Sequence, residues 1–235
     1  MAGHSKWAKI KRDKASNDAK RGAVFTKLGN QIAVAARAGT NPDTNNALAL
    51  AIETAKSFNM PQSTISRAIQ RAADKAAANV EEVLYEGYGP GGLAILVECA
   101  TDNRKRTYPE VKSAFAKNGG NIAEPGSVAF NFKHCGEILL SGKDDDAMMQ
   151  ALEAGAEDVV EEEQGLSVIT APADLHAVLE KLKTAGAPVE HAGLIYKPKV
   201  VIDLDDKLAA RAEKLTDILE SLNDTINVYS NLANG

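Results

Sequence analysis

Eight cations crowd positions 6 to 27: Lys6, Lys9, Lys11, Arg12, Lys14, Lys20, Arg21 and Lys27, opposed there only by Asp13 and Asp18. Lysine and arginine at this density neutralise phosphates, and the counterions they displace drive binding. Trp7 stands among them, an indole able to stack on a base or a sugar or to anchor the segment on a helix. Arg67 and Arg71 lie four residues apart, one helical turn, with Ser63, Ser66 and Gln70 nearby. Such a polar face donates to phosphates or base edges. Arg104, Lys105 and Arg106 form a further small basic patch in the polar stretch 101–106, which reads as a loop.

Covalent chemistry is not signalled. The chain lacks a phosphate-loop motif, a paired-histidine zinc motif and a nucleophile elbow. His134 and Cys135 are adjacent, so on a strand they face opposite ways and make poor co-ligands. Cys99 sits inside LAILVEC as a small hydrophobe. The two cysteines offer neither a disulfide framework nor a CxxC pair. The glycine-rich GYGPGG at 87–92 precedes a strand and not a helix, so it offers no helix N-terminus to a phosphate and reads as a turn. The expectation is a protein that is not an enzyme, holds no metal or cofactor, and has no identified small-molecule substrate.

The elements that must carry these residues follow from periodicity. Apolar residues at Val24, Phe25, Leu28, Ile32, Ala35 and Ala36 predict a helix over 17–37. Asn45 can cap a second helix with Leu48, Ile52, Ala55 and Phe58 inside, and Pro61 opens a third with Ile65, Ala68, Ile69 and Ala72 inside. Strands are expected at 83–86, 93–99 and 127–133, with a helix from Pro109 to about 117. A β-α-β-β-α-β series follows: strand 138–140, helix 144–153 with Met148, Met149 and Leu152 on its apolar side, strands 158–162 and 166–170, helix 173–185 and strand 189–196. That order is ferredoxin-like. A strand at 200–204, a helix over 205–222 and a strand at 225–229 then return to complete the earlier strands.

The fold class is therefore α+β. The expected domains are a basic helical one at 1–80, an α/β domain at 81–136 plus 200–235, and a ferredoxin-like α/β domain inserted at 137–199. Charge divides along the same line. Residues 1–75 carry 13 Lys and Arg against 5 Asp and Glu, and residues 76–235 carry 14 against 27. A basic module meeting a polyanion, with an acidic body that repels it, orients the basic end. Hydrophobic residues make up 44% and charged residues 25%, which excludes wholesale disorder. No apolar run is long enough for a membrane span and no signal peptide is recognisable, so the expected compartment is the cytoplasm, without membrane partners.

Several segments together resemble the YebC/PmpR family. They are AGHSKWAKIK at 2–11, DAKRG at 18–22, FTKL at 25–28, NMP at 59–61, YEGYGPGG at 85–92, VECATDNRKRT at 97–107 and GGNIAEPGSVAF at 119–130. The likeness runs in order along the whole chain. It departs at Arg12-Asp13-Lys14, where relatives are usually basic or His throughout, and at Gly29-Asn30-Gln31, where many carry an Arg-Glu pair. The resemblance implies a three-domain α+β protein. It also implies a DNA-binding transcriptional regulator, as bacterial members are described. The alternative is a translation factor that binds ribosomal RNA through the same basic arm, since other relatives, including the mitochondrial translational activator of cytochrome oxidase, are described as acting on translation at the ribosome. Either way the expected partner is nucleic acid.

Overall fold

The computed structural model describes residues 18–73, 80–162 and 165–233, with side chains from residue 22 onward. Three helices open it: α1 (Asp18–Ala36), α2 (Asn46–Ser57) and α3 (Gln62–Ala73). Their apolar residues recur at helical spacing, and Leu28, Ile32, Leu48, Ile52, Ala55 and Ile65 are buried together. Burying each of these leucines and isoleucines contributes roughly 1.5–3 kcal/mol. Asn45 joins two of the helices. Its Oδ1 accepts from the Leu48 amide at 3.1 Å, capping α2. Its Nδ2 donates to the carbonyls of Ala35 and Gly39 at 2.8 and 2.7 Å, closing the end of α1. Pro61 stands one residue before α3, where its carbonyl accepts from Thr64 and Ile65.

The first sheet is built on a hairpin of β1 (Glu81–Tyr88) and β2 (Ala94–Thr101), in register from Glu81 opposite Thr101 to Tyr88 opposite Ala94. Gly91 and Gly92 in the connecting turn take φ values of 71° and 79°, which glycine adopts without strain. After α4 (Arg104–Lys117), β3 (Asn121–Ile122) adds beside β1; α7 (Asp206–Ser221) and β8 (Thr225–Ser230) return much later, β8 beside β2. The order is β3-β1-β2-β8. Alternation along β2 serves both faces. Ile95, Val97 and Cys99 pack under α4 and α7 with Val111, Phe115, Ala212, Leu215 and Leu219. Ala100 and Ile226 join Val80 under the three N-terminal helices. The sheet is thus covered on both sides, by the bundle on one and by α4 and α7 on the other.

A second compact unit spans 133–197. It comprises β4 (Phe132–Ser141), α5 (Asp145–Ala154), β5 (Asp158–Glu162), β6 (Gly165–Thr170), α6 (Leu175–Thr184) and β7 (Val189–Pro198). The strand order is β5-β6-β4-β7, with β4–β6 and β5–β6 antiparallel. This is the expected β-α-β-β-α-β arrangement. Ile138, Leu140, Leu166, Val168, Leu175, Val178, Leu179 and Leu182 are buried in it.

Four local expectations are corrected. The stretch 101–106 is no loop: α4 begins at Arg104, capped by Asn103, and Pro109 lies inside the helix. The alternating 127–133 does not start a strand. A single 3-10 turn occupies Ala129–Asn131 before β4, because the Glu86 carboxylate gathers the amides of Gly126, Val128 and Ala129. The strand at 200–204 is a single bridge, Ile202 to Leu232. On α5 the inward residues are Ala147, Ala151 and Ala154, whereas Met149 and Leu152 are 62% and 52% exposed.

Candidate nucleic-acid interface

The residues singled out from the sequence fall into distinct environments. Lys6, Trp7, Lys9, Lys11, Arg12 and Lys14 lie outside the described residues. Lys20 and Arg21 are on the first turn of α1, and their side chains are also outside the description. Lys27 is 6% exposed, and its ammonium donates to the carbonyl of Glu220. This corrects the reading of Lys27 as a phosphate contact: position 27 falls on the buried side of α1, next to Leu28, so its charge is turned inward.

On α3 the exposed residues Gln62, Ser63, Ser66, Arg67 and Gln70 make one polar face. Spacings of three and four residues put Ser63, Ser66, Arg67 and Gln70 side by side. Ile65 and Ala68, on the other side, hold the helix to the bundle. Arg71 is exposed too, but its Nη2 donates to Asn30 Oδ1 at 2.8 Å and to the Gly29 carbonyl at 3.3 Å. It therefore straps α3 to α1, and Asn30, one of the departures from the family pattern, is its partner.

The 104–106 patch is largely engaged internally. Arg104 makes a bidentate pair with Glu81, Nε to Oε1 at 2.5 Å and Nη2 to Oε2 at 2.9 Å. Arg106 Nη2 donates to Asp102 at 3.0 Å and Asp224 at 2.7 Å. Asp224, 8% exposed, also accepts from Thr101 Oγ1 at 3.1 Å and Thr107 Oγ1 at 2.6 Å. The side chain of Asn103 takes the Arg106 amide as the cap of α4. The run TDNRKRT thus forms a capping and pairing network. Lys105 is exposed and carries no such pair among the described residues.

Both cysteines are buried. Desolvation pushes the Cys99 thiol up to about 12, so it is no thiolate at neutral pH. His134 is exposed and stacks on Tyr196 at 4.7 Å between ring centroids. Among the described residues no group of three or more His, Cys, Asp or Glu is placed to hold a metal ion, and no helix is long and apolar enough to cross a membrane. One residue that sequence reasoning passed over stands out: Phe130, assigned there to a strand, is 63% exposed. Pro125-Gly126 was the signal that could have broken that strand assignment.

A three-helix module with an exposed polar face, seated on a two-sided α/β sheet that is continued by a ferredoxin-like unit, defines the class. Residues 5–75 match the family described as the TACO1/YebC protein N-terminal domain, and residues 80–232 match the TACO1/YebC second and third domain. The chain belongs to the TACO1/YebC family. A protein of Bordetella petrii named as a probable transcriptional regulatory protein is 52% identical over 98% of this chain and 97% of its own length. One of Nitrosospira multiformis with the same name is 48% identical, covering 98% of each chain. The crystal structure of a conserved hypothetical protein from Aquifex aeolicus superposes with a TM-score of 0.87 at 40% identity, over 93% of this chain and 92% of that one.

Proposed function

We propose that this protein is a non-enzymatic regulator of gene expression that binds nucleic acid through residues 1–80, in the cytoplasm. Residues 81–136 with 200–235 serve as the platform for that module, and residues 137–199 form an inserted domain. The observation that carries the reading is the charge division. Residues 1–75 hold 13 cationic side chains against 5 acidic ones, while residues 133–197 hold 5 against 13. Basic chain meets phosphates; acidic chain is repelled by them. The exposed α3 face with Arg67 and Gln70 extends the contact. The relatives' names, probable transcriptional regulatory proteins, favour transcription as the level of control, and our reading takes DNA as the target.

A second reading, binding to ribosomal RNA, is favoured by a separate observation. Groove-reading proteins need several free side chains at base edges. Here Lys27 is buried, and Arg71, Arg104 and Arg106 are engaged within the fold. What remains suits phosphate contact more than sequence reading.

Two measurements test this. Replacing Lys9, Lys11, Arg12 and Lys14 with Ala should flatten a salt slope of roughly −3 to −5 in log affinity against log salt, weakening all sequences alike. An unchanged slope refutes the arm as the contact. Gradient sedimentation of lysate at moderate salt, with promoter competition in parallel, separates the targets. Discrimination of a promoter from random DNA by about a thousandfold, without ribosome co-sedimentation, selects transcription. Co-sedimentation with weak duplex selectivity selects the ribosome.

A further inference from the structure

Phe130 is the most exposed aromatic side chain among the large exposed hydrophobics, at 63%, and the chain around it is unusually well fixed. Glu86 on β1 is 6% exposed, and its carboxylate accepts three amides of the segment before Phe130. Oε1 takes Gly126 at 2.5 Å, and Oε2 takes Val128 at 2.6 Å and Ala129 at 2.7 Å. The Tyr88 hydroxyl donates to the Ser127 carbonyl at 2.9 Å. From the other side, Lys199 Nζ donates to the Phe130 carbonyl at 2.8 Å, and the Lys199 amide donates to the Asn131 carbonyl at 2.8 Å. Burying a carboxylate is costly unless such bonds compensate it. Here the bonds hold a turn whose apolar product, the ring, is left in water.

A backbone ordered in advance lowers the cost of binding for the side chain it presents. A rigidly mounted ring beside an exposed lysine is the pairing that single-stranded nucleic acid uses: a flat face for a base and a cation for its phosphate. Val200 and Val201, which follow Lys199 in the chain, are 70% and 46% exposed.

We propose that Phe130 is a stacking platform for an unpaired nucleobase, with Lys199, whose ammonium keeps two donors beyond the one given to the Phe130 carbonyl, placed to meet the adjoining phosphate. This rests on the nucleic-acid reading above and sharpens it, because bases inside a duplex are already stacked and offer no free face. The site prefers a single strand or a loop to a double helix.

The test uses the full chain, a fluorescein-labelled short oligoadenylate, and the duplex that this strand makes with oligouridylate. Phe130→Ala should weaken single-strand binding by about fivefold or more, the range for losing one base–aromatic stack. Duplex affinity should stay within about twofold, and the salt slope should not change, since no phosphate contact is removed. Phe130→Trp should restore single-strand affinity. Because the ring is exposed, the melting temperature of Phe130→Ala should match that of the parent, which separates a binding loss from a folding loss. If the parent binds the oligonucleotides and Phe130→Ala binds both as well as the parent does, or loses both equally, the stacking site is wrong and the basic-arm reading survives. If the parent binds neither, both fall. If oligonucleotide binding is intact but co-sedimentation with ribosomes is lost, Phe130 contacts protein, and the proposal is overturned.

Discussion

Removing the Asp224 side chain should loosen the first sheet far more than removing the cation that pairs with it. Asp224 Oδ2 accepts from Thr107 Oγ1 at 2.6 Å, Thr101 Oγ1 at 3.1 Å and Arg106 Nη2 at 2.7 Å. The two hydroxyls are buried, and bonds to a charged acceptor contribute about 1.5–3 kcal/mol each. After Asp224→Ala part of this is recovered. Thr107 still reaches the Asn103 carbonyl at 3.1 Å and lies 2.7 Å from Thr101 Oγ1, so re-pairing returns about 1 kcal/mol per hydroxyl. The Arg106 side chain is 46% exposed, so water takes over its charge and the lost ion pair adds at most about 1 kcal/mol. The sum is a loss of about 1–5 kcal/mol for Asp224→Ala, against at most about 1 kcal/mol for Arg106→Ala. Urea unfolding followed by circular dichroism measures both. A cost below about 1 kcal/mol for Asp224→Ala, or equal costs for the two variants, would refute the ranking of buried hydroxyls over the half-exposed pair.

Burial pushes the Glu137 carboxyl up to about 7; Ser167 donates to Oε1 at 2.8 Å, while Oε2 has no hydrogen-bond partner among the described residues. A carboxyl raised from its ordinary 4.5 holds its proton more tightly in the folded state. Its contribution is therefore full below pH 4.5 and is lost as pH rises through about 7. Glu137→Gln should remove up to about 3 kcal/mol of that pH dependence and stabilise the protein near pH 8, by urea melts at about pH 5 and pH 8; parallel curves for parent and variant would contradict this. Gly87→Ala places a Cβ 2.6 Å from Phe115 Cζ and 2.8 Å from the Asn121 carbonyl oxygen. It should cost about 1–3 kcal/mol as an overpacked site, read as a lowered melting temperature, and an unchanged one would show that β3 yields freely.

What could be read from the sequence was whatever nearby residues decide. Asn45 caps α2 through Leu48, three positions on, and the apolar stripes of α1 to α3 repeat within single helices. The ferredoxin-like order was legible because each element carries its own periodicity. What could not be read depends on distant partners. The run 101–106 looks like a loop because it is all polar; its helical start is completed by Asp224, 118 positions from Arg106. The alternation at 127–133 is overridden by Glu86, 42 positions before Val128. Lys27 meets a carbonyl 193 positions away. On α5 two stripes compete, Ala147-Ala151-Ala154 and Met149-Leu152, and nothing local shows that the small residues face inward. Of the candidate interface, the sequence marked which residues are cationic but not which cations are already engaged within the fold.

The place of β8 sets an order of assembly. It pairs with β2, and Thr225 meets Cys99 across 126 positions. The N-terminal helices rest partly on that late strand through Ile226. A chain emerging from its ribosome therefore completes the 133–197 unit, whose sheet is formed by strands of that unit alone, before the first sheet is closed. Until β8 arrives, the edge of β2 is unpaired and the apolar underside of the helices lacks its contact with Ile226. Such long-range closure is slow. Truncation just before Thr225 should leave the ferredoxin-like unit folded while the three N-terminal helices lose the support of Ile226, read as a lowered melting temperature of that part of the chain.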